Sequence, residues 1–248
     1  MTLGSVHSLE TMGLVDGPGV RVVVFLQGCA LRCRFCHNPD TWEADSGEQV
    51  TPQELLHRIV RCKPYFVRSG GGVTFSGGEP LLQPEFLLET LRLCREADIH
   101  TCLDTAGCGR GMYDEILRYT DLVLYDVKQV TEESYRKLTG RDWTETGRFL
   151  QAVRRAGTPV WVRHVVVPGL TDSEAHMAAL RAFVSAHVPN VQKVELLPYH
   201  LLGVQKYKTM GLMYPLAGVP AMDTEQVKTW QARYFDSLDG SKSNRCKK

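Results

Sequence analysis

The sequence predicts an α/β fold, a partial and open (β/α)6 barrel of the TIM-like kind, on three observations. Short runs rich in β-branched residues alternate regularly with segments of helical apolar spacing, which argues for a parallel sheet. Six strand-helix units can be read in 248 residues. A complete eightfold barrel takes roughly 250 residues, so six units with an N-terminal lead-in and a C-terminal helix fit a partial barrel better. No internal repeat and no Pro/Gly/Ser linker divides the chain, so residues 1–240 are expected to form a single domain.

Taken in order, the first strand is expected at 20–26. A helix start follows at Thr51-Pro52, with Glu54 three residues after Thr51 as in a capping box. The second strand is expected at 72–75, and the helix at 84–97 shows its apolar stripe in Phe86, Leu87, Leu91 and Cys94. Strands at 100–103 and 122–126 come next. Thr131, with Ser134 nearby, marks a further helix start. The helix at 146–156 carries Phe149, Leu150 and Val153, and Gly157 is placed to end it. Strands at 160–167 and 194–197 and a helix at 224–235 complete the pattern. The basic segment 241–248 is expected to fray.

Hydrophobic residues at 43% and charged residues at 23% are ordinary for a soluble protein, and a net charge of +1 offers no field suited to nucleic acid or an anionic membrane. The chain opens without a basic stretch and apolar run, and no later segment has the apolar length to span a bilayer, so a cytosolic, reducing location is expected. Thiol chemistry or metal ligation then explains a tight group among the 8 cysteines better than disulfides do.

Such a group stands directly after the first strand, in Cys29-Ala30-Leu31-Arg32-Cys33-Arg34-Phe35-Cys36-His37. Thiolates are soft ligands suited to zinc or to iron-sulfur clusters, and the short spacing lets one loop aim all three at a common centre. A structural zinc ion takes four protein ligands; three thiolates on a four-iron cluster leave one iron open to a small molecule. Zinc held by the three cysteines and His37 is the competing reading, although adjacency makes it awkward for Cys36 and His37 to bind one ion together. An electron-carrier cluster would need a fourth nearby cysteine. Cys62, Cys94, Cys102, Cys108 and Cys246 are dispersed and read as non-ligands, Cys94 and Cys102 as small apolar residues.

The C-x3-C-x2-C spacing with Phe35 before the last cysteine resembles the signature of radical S-adenosylmethionine (SAM) enzymes. The run Cys36-His37-Asn38-Pro39-Asp40-Thr41-Trp42 is similar to that of the glycyl-radical-enzyme activases within them. The resemblance covers nearly the whole chain. It continues through Asp16-Gly17-Pro18-Gly19, Ser76-Gly77-Gly78-Glu79-Pro80, Asp104-Thr105, Tyr125-Asp126-Val127-Lys128-Gln129, Val165-Val166-Val167-Pro168-Gly169 and Leu196-Leu197-Pro198-Tyr199-His200. Larger activases carry a cysteine-rich insert between the cluster loop and the Gly-Gly-Glu motif; only Cys62 lies in that interval here.

The resemblance implies a 4Fe-4S cluster on Cys29, Cys33 and Cys36, with SAM on the open iron beside Phe35 and His37. It implies that the backbone at Gly77 and Gly78 holds the SAM amino group and that Glu79 orients this loop; as an isolated pair the glycines would read as a plain turn. Asp126-Val127-Lys128 would meet the SAM ribose and carboxylate, where the alternative is ordinary salt bridging. A monovalent cation between Asp104 and Asp126 is implied too, with a helix N-cap role for Asp104 equally open. His200 would lie near adenosine and the substrate, though one histidine alone signals little. Asp16 and Arg163 would line the substrate side, or else form structural ion pairs.

The implied activity is reductive cleavage of SAM to place a radical on a glycine of a partner glycyl radical enzyme, pyruvate formate-lyase first among them. A flavodoxin-type reductant and a monomeric activase are implied with it. Activation of another glycyl radical enzyme, or radical chemistry on a small molecule, shares all the cluster features. A zinc or electron-transfer module is the alternative from a different class.

Overall fold

The computed structural model describes residues 2–238, and the expected basic tail at 241–248, Cys246 included, lies outside the described residues. In chain order the elements are β1 (Gly4–Gly13), β2 (Arg21–Leu26), β3 (Glu48–Val50), α1 (Pro52–Val60), α2 (Lys63–Ser69), β4 (Gly72–Gly77), α3 (Pro84–Glu96), β5 (His100–Thr105), α4 (Tyr113–Leu117), β6 (Leu122–Asp126), α5 (Glu132–Thr139), α6 (Thr144–Ala156), β7 (Val160–Val166), α7 (Glu174–His187), β8 (Val191–Pro198), α8 (Val204–Thr209) and α9 (Thr224–Trp230). The strands form one open sheet in the order β3-β1-β2-β4-β5-β6-β7-β8. The pairs β2–β4, β4–β5 and β7–β8 are parallel. All six expected strands are present, as β2 and β4 through β8, in an unclosed α/β sheet that bears out the partial barrel.

Two strands go beyond the expectation. The N-terminal lead-in is β1, antiparallel to β2 on one side and to β3 on the other. Its sequence, GSVHSLETMG, buries only its first three residues and its last, so no period-2 alternation announces it. Main-chain pairing, interrupted by two register shifts, forms this strand.

The chain divides into two compact units, each made of separate stretches. The first takes the residues up to Ala30, Thr41–Leu124 and Thr144–Thr158. Val22, Val23, Val24 and Leu26 of β2 and Val73 and Phe75 of β4 are buried, as expected of central parallel strands covered on both faces. The α1 capping box forms as its sequence predicts, Thr51 accepting from the Glu54 N–H and Glu54 from the Thr51 N–H. That fixes the helix so that Leu55 and Ile59 are buried as it packs on α3, whose own buried stripe is Phe86, Leu87, Leu91 and Cys94. Each such fully buried side chain contributes roughly 1.5–3 kcal/mol.

The second unit takes Leu31–Asp40, Tyr125–Trp143 and the chain from Pro159 onward. Here β7 and β8 pair with Val162 opposite Val194, and α7 buries Met177, Leu180 and Val184. Thr131 caps α5 through the Ser134 N–H, as read from the sequence. The last helix runs as α9 and then widens into a π-helical turn at Gln231–Phe235. At the start of that turn the Gln231 side chain accepts from the Leu196 N–H and donates to the Val194 carbonyl, satisfying main-chain groups of β8. Among the described residues no helix is long and apolar enough to cross a membrane.

Candidate active site

In the first unit, the C-terminal ends of β2, β4 and β5 carry Cys29, the Gly77-Gly78-Glu79 turn and Asp104. After β2 the main chain is pinned at every step. Gln27 N–H donates to Ser5 O at 2.9 Å, Gly28 N–H to Thr41 O at 2.8 Å and Cys29 N–H to Trp42 O at 3.2 Å. The β4 turn lies directly against it, Gly78 N–H donating to Leu26 O and Glu79 N–H to Gly28 O, both at 2.8 Å. This approach explains the glycines: Gly77 sits at φ +100°, and a Cβ on Gly78 would lie 2.1 Å from the Gly28 carbonyl oxygen.

Glu79 is 1% exposed and works inside the protein. Its carboxyl accepts from the Thr105 hydroxyl at 2.5 Å, the Ala106 N–H at 3.0 Å and the Leu81 N–H at 3.2 Å, tying the β4 turn to the end of β5. Burial pushes its pKa up to about 7, against the opposing pull of those hydrogen bonds. Asp104 accepts from the Ser76 hydroxyl at 2.6 Å. It caps no helix, because α4 begins nine residues later behind Met112; the capping alternative is therefore set aside. Asp16 lies on the loop joining β1 to β2, before the N-terminal end of β2, where its carbonyl accepts from the Thr74 hydroxyl at 2.6 Å. Cys29 follows the C-terminal end of that strand, whereas the Asp16 carbonyl meets β4 at Thr74, the partner of Val23 midway along β2.

In the second unit, the loop carrying Cys33 and Cys36 rests on the C-terminal turn of α5. Arg32 N–H donates to Thr139 O at 2.8 Å and Arg34 N–H to Leu138 O at 3.0 Å, using carbonyls that a helix end leaves over. Cys36 N–H closes a turn onto Cys33 O at 2.9 Å. Cys33 and Phe35 are buried, and the Lys128 ammonium stands 5.6 Å from the centre of the Phe35 ring. Burial pushes the Cys33 thiol up to about 12, against the attraction of Lys128.

Beside them, Asp126 lies between Lys128, at 2.8 Å, and the Arg163 Nε, at 3.3 Å. These are not surface salt bridges, since the three side chains are only 12–21% exposed. Burial alone would raise the Asp126 carboxyl, but Lys128 and then Arg163 outweigh it and hold it below the usual carboxylate range. Two cations thus flank one carboxylate in a largely buried setting. Val127 between them is buried and donates its N–H to Arg163 O at 2.9 Å.

His37 bonds through Nε2 to the His200 carbonyl at 3.0 Å, and the two rings lie 4.2 Å apart between centroids. Burial, and then the neighbouring His200, lower the His37 pKa. Lys206 ties the same segment down, reaching Asn38 Oδ1 and Asp40 Oδ1 at 3.0 Å each. Gly203 permits the approach, since a Cβ there would lie 2.7 Å from His37 Cδ2. The Tyr199 hydroxyl meets that of Tyr214 at 2.8 Å. Lys206 and Tyr214 carried no motif; only their long-range partners reveal them.

The residues present suit a thiolate-ligated cluster. Cys29, Cys33 and Cys36 are all free of disulfides, and a thiol as deeply buried as Cys33 ionises readily only when a metal supplies the compensating charge. Among the described residues no three His, Cys, Asp or Glu side chains gather closely enough for a single metal ion. His37, the fourth ligand of the zinc reading, has its Nε2 on a carbonyl.

The radical SAM superfamily model matches residues 23–181. A pyruvate formate-lyase-activating enzyme of Clostridium pasteurianum is 56% identical over 238 residues, covering 96% of this chain and 99% of its own. One from Listeria monocytogenes serovar 1/2a is 44% identical, covering 91% of this chain and 93% of its own. Among solved structures, a domain of a pyruvate-formate lyase-activating enzyme from Bacteroides vulgatus aligns with a TM-score of 0.53 at 23% identity, covering 70% of this chain and 96% of its own. A radical SAM methyltransferase from Sphaerobacter thermophilus aligns with a TM-score of 0.62 at 17% identity, covering 94% of this chain and 65% of its own. Those two structural likenesses speak to the fold alone.

Proposed function

The chain belongs to the radical SAM superfamily and, within it, to the pyruvate formate-lyase-activating enzymes, and on that premise we propose that it activates pyruvate formate-lyase by placing a radical on one of its glycines. The observation that carries this reading is the match to such an activase at 56% identity over almost the full length of both chains. Bound together, a 4Fe-4S cluster and SAM supply one-electron cleavage of the sulfonium and, from it, abstraction of a hydrogen atom from a glycine α-carbon.

Cys29, Cys33 and Cys36 hold the cluster, and the buried setting of Cys33 and Phe35 keeps water from it. The Gly77-Gly78 backbone receives the SAM amino group on a turn that Glu79 holds rigid. Lys128, pre-oriented by Asp126, meets the SAM carboxylate as a compact cation suited to it, with Val127 alongside. Asp104 and Asp126 are the carboxylates that would hold a monovalent cation. His37 and His200 border the adenosine, and Asp16, Arg163 and His200 contact the polypeptide that brings its glycine in. The protein's work is to hold the reacting atoms together and dry.

A flavodoxin-type protein delivers the electron, and the activase acts in the cytoplasm as a monomer whose residues 1–240 form one catalytic domain. Anaerobic reconstitution followed by strong reduction with SAM tests the reading. About four iron atoms per chain and release of 5′-deoxyadenosine are expected. A colourless zinc protein, or a cluster protein that releases none, would contradict it.

A further inference from the structure

β7 places Arg163 and His164 side by side, and both attend to the same short stretch at the end of β6. Arg163 reaches Asp126 with its guanidinium and accepts the Val127 N–H with its carbonyl. His164, 1% exposed, has Nδ1 at 2.7 Å from the Val127 carbonyl oxygen. Val127 is thus gripped at both its N–H and its C=O. It stands between Asp126 and Lys128, so what holds the peptide planes on its two sides also sets the direction of both flanking side chains.

The imidazole is held in turn. A carbonyl oxygen only accepts, so His164 Nδ1 carries the hydrogen, and neutral His164 then has a bare Nε2. That nitrogen lies 3.1 Å from Nε2 of His176, the two ring planes inclined by 25° with their centroids 5.1 Å apart. His176 must therefore carry its hydrogen on Nε2 and donate it. Its own main-chain N–H donates to Ser173 Oγ, the N-cap of α7, at 3.1 Å. Two directed hydrogen bonds in series run from the His176 side chain, in the first turn of α7, through the His164 ring to the Val127 carbonyl.

We propose that His164, oriented by His176, is a positioning residue that fixes the Asp126-Val127-Lys128 end of β6 and so sets how tightly the protein holds the carboxylate-bearing ligand of Lys128. It touches no reacting atom and acts through the Val127 carbonyl. The ligand is SAM on the reading above, and the affinity part of the inference rests on that reading.

His164→Leu removes the donor at similar volume, whereas His164→Asn places an amide N–H near where Nδ1 stood. The expected result for His164→Leu is SAM affinity about tenfold weaker, with KM raised and kcat near wild type. His164→Asn recovers most of that loss, and His176→Phe, which frees the His164 tautomer, costs about threefold by the weaker loss of one oriented bond. A second readout needs neither cluster nor SAM: in the unloaded protein, amide hydrogen exchange at Val127 and Lys128 speeds up in His164→Leu and returns toward wild type in His164→Asn.

Wild-type exchange in His164→Leu, or equal losses in the Leu and Asn variants at matched thermal stability, would overturn the proposal. Should His164→Leu fail to fold, the His176→Phe and His164→Asn exchange patterns decide it in the same way. A wild-type protein that cleaves no SAM would sink the activase reading, while the exchange data would still settle the clamp.

Discussion

Glu79→Gln separates a buried charge from the shape that carries it. An ordinary glutamate titrates at 4.5, and burial raises Glu79 to about 7. Between those values the folded protein holds a proton that the unfolded chain has lost, so stability is greatest below pH 4.5 and falls as pH rises toward 7. By linkage, the loss between pH 5 and pH 8 amounts to about 2–3 kcal/mol. The glutamine keeps the outline and abolishes the titration. Its NH2 group, however, takes the place of one oxygen and faces a donor whichever way the amide turns, the Leu81 N–H on one side or the Ala106 N–H on the other, at a cost of about 1–3 kcal/mol at every pH. The variant should be the less stable protein at pH 5 and should draw level with wild type, or pass it, by pH 8. Urea unfolding of the unloaded protein, followed by far-ultraviolet circular dichroism at both pH values, measures the gap. A gap constant to within about 0.5 kcal/mol would refute the burial argument for Glu79.

Gly78→Ala should destabilise the protein by about 2 kcal/mol or more and cut iron loading, because the new Cβ would lie 2.1 Å from the Gly28 oxygen just before Cys29; urea titration and iron assay check it. Cys33→Ala should abolish iron binding while leaving the unloaded protein within about 1–2 kcal/mol of wild type, since a neutral buried thiol behaves as a small apolar group. Thr51→Ala should cost about 1 kcal/mol through loss of the α1 cap and leave SAM cleavage untouched; a change in cleavage per loaded cluster would contradict the separation of that helix from the site.

The parts of this fold that were legible in the sequence are those where one local pattern decides the outcome. Val22-Val23-Val24 can only suit a strand covered on both faces, and Thr51 with Glu54 states a helix start within four residues. β1 was not legible, because what makes it a strand is a main-chain ladder to β2 and β3 and not its own mixed side chains. The site divides along the same line. Asp126 and Lys128 stand two apart and their pairing could be read, whereas Arg163 joins them from 37 residues away. Asp104 shows the limit most plainly, since capping and ligand binding demand the same residue and only the place where α4 begins, behind Met112, decides against the cap. Lys206 and His164 hold the site through partners distant in the chain, which no spacing announces.

The most direct test of the whole account is electron paramagnetic resonance of pyruvate formate-lyase incubated anaerobically with this protein, SAM and a strong reductant. A glycyl radical signal is expected on the lyase, requiring both SAM and the intact cysteine loop and disappearing with Cys33→Ala. A fully cluster-loaded protein that cleaves SAM yet leaves the lyase without that signal would contradict it.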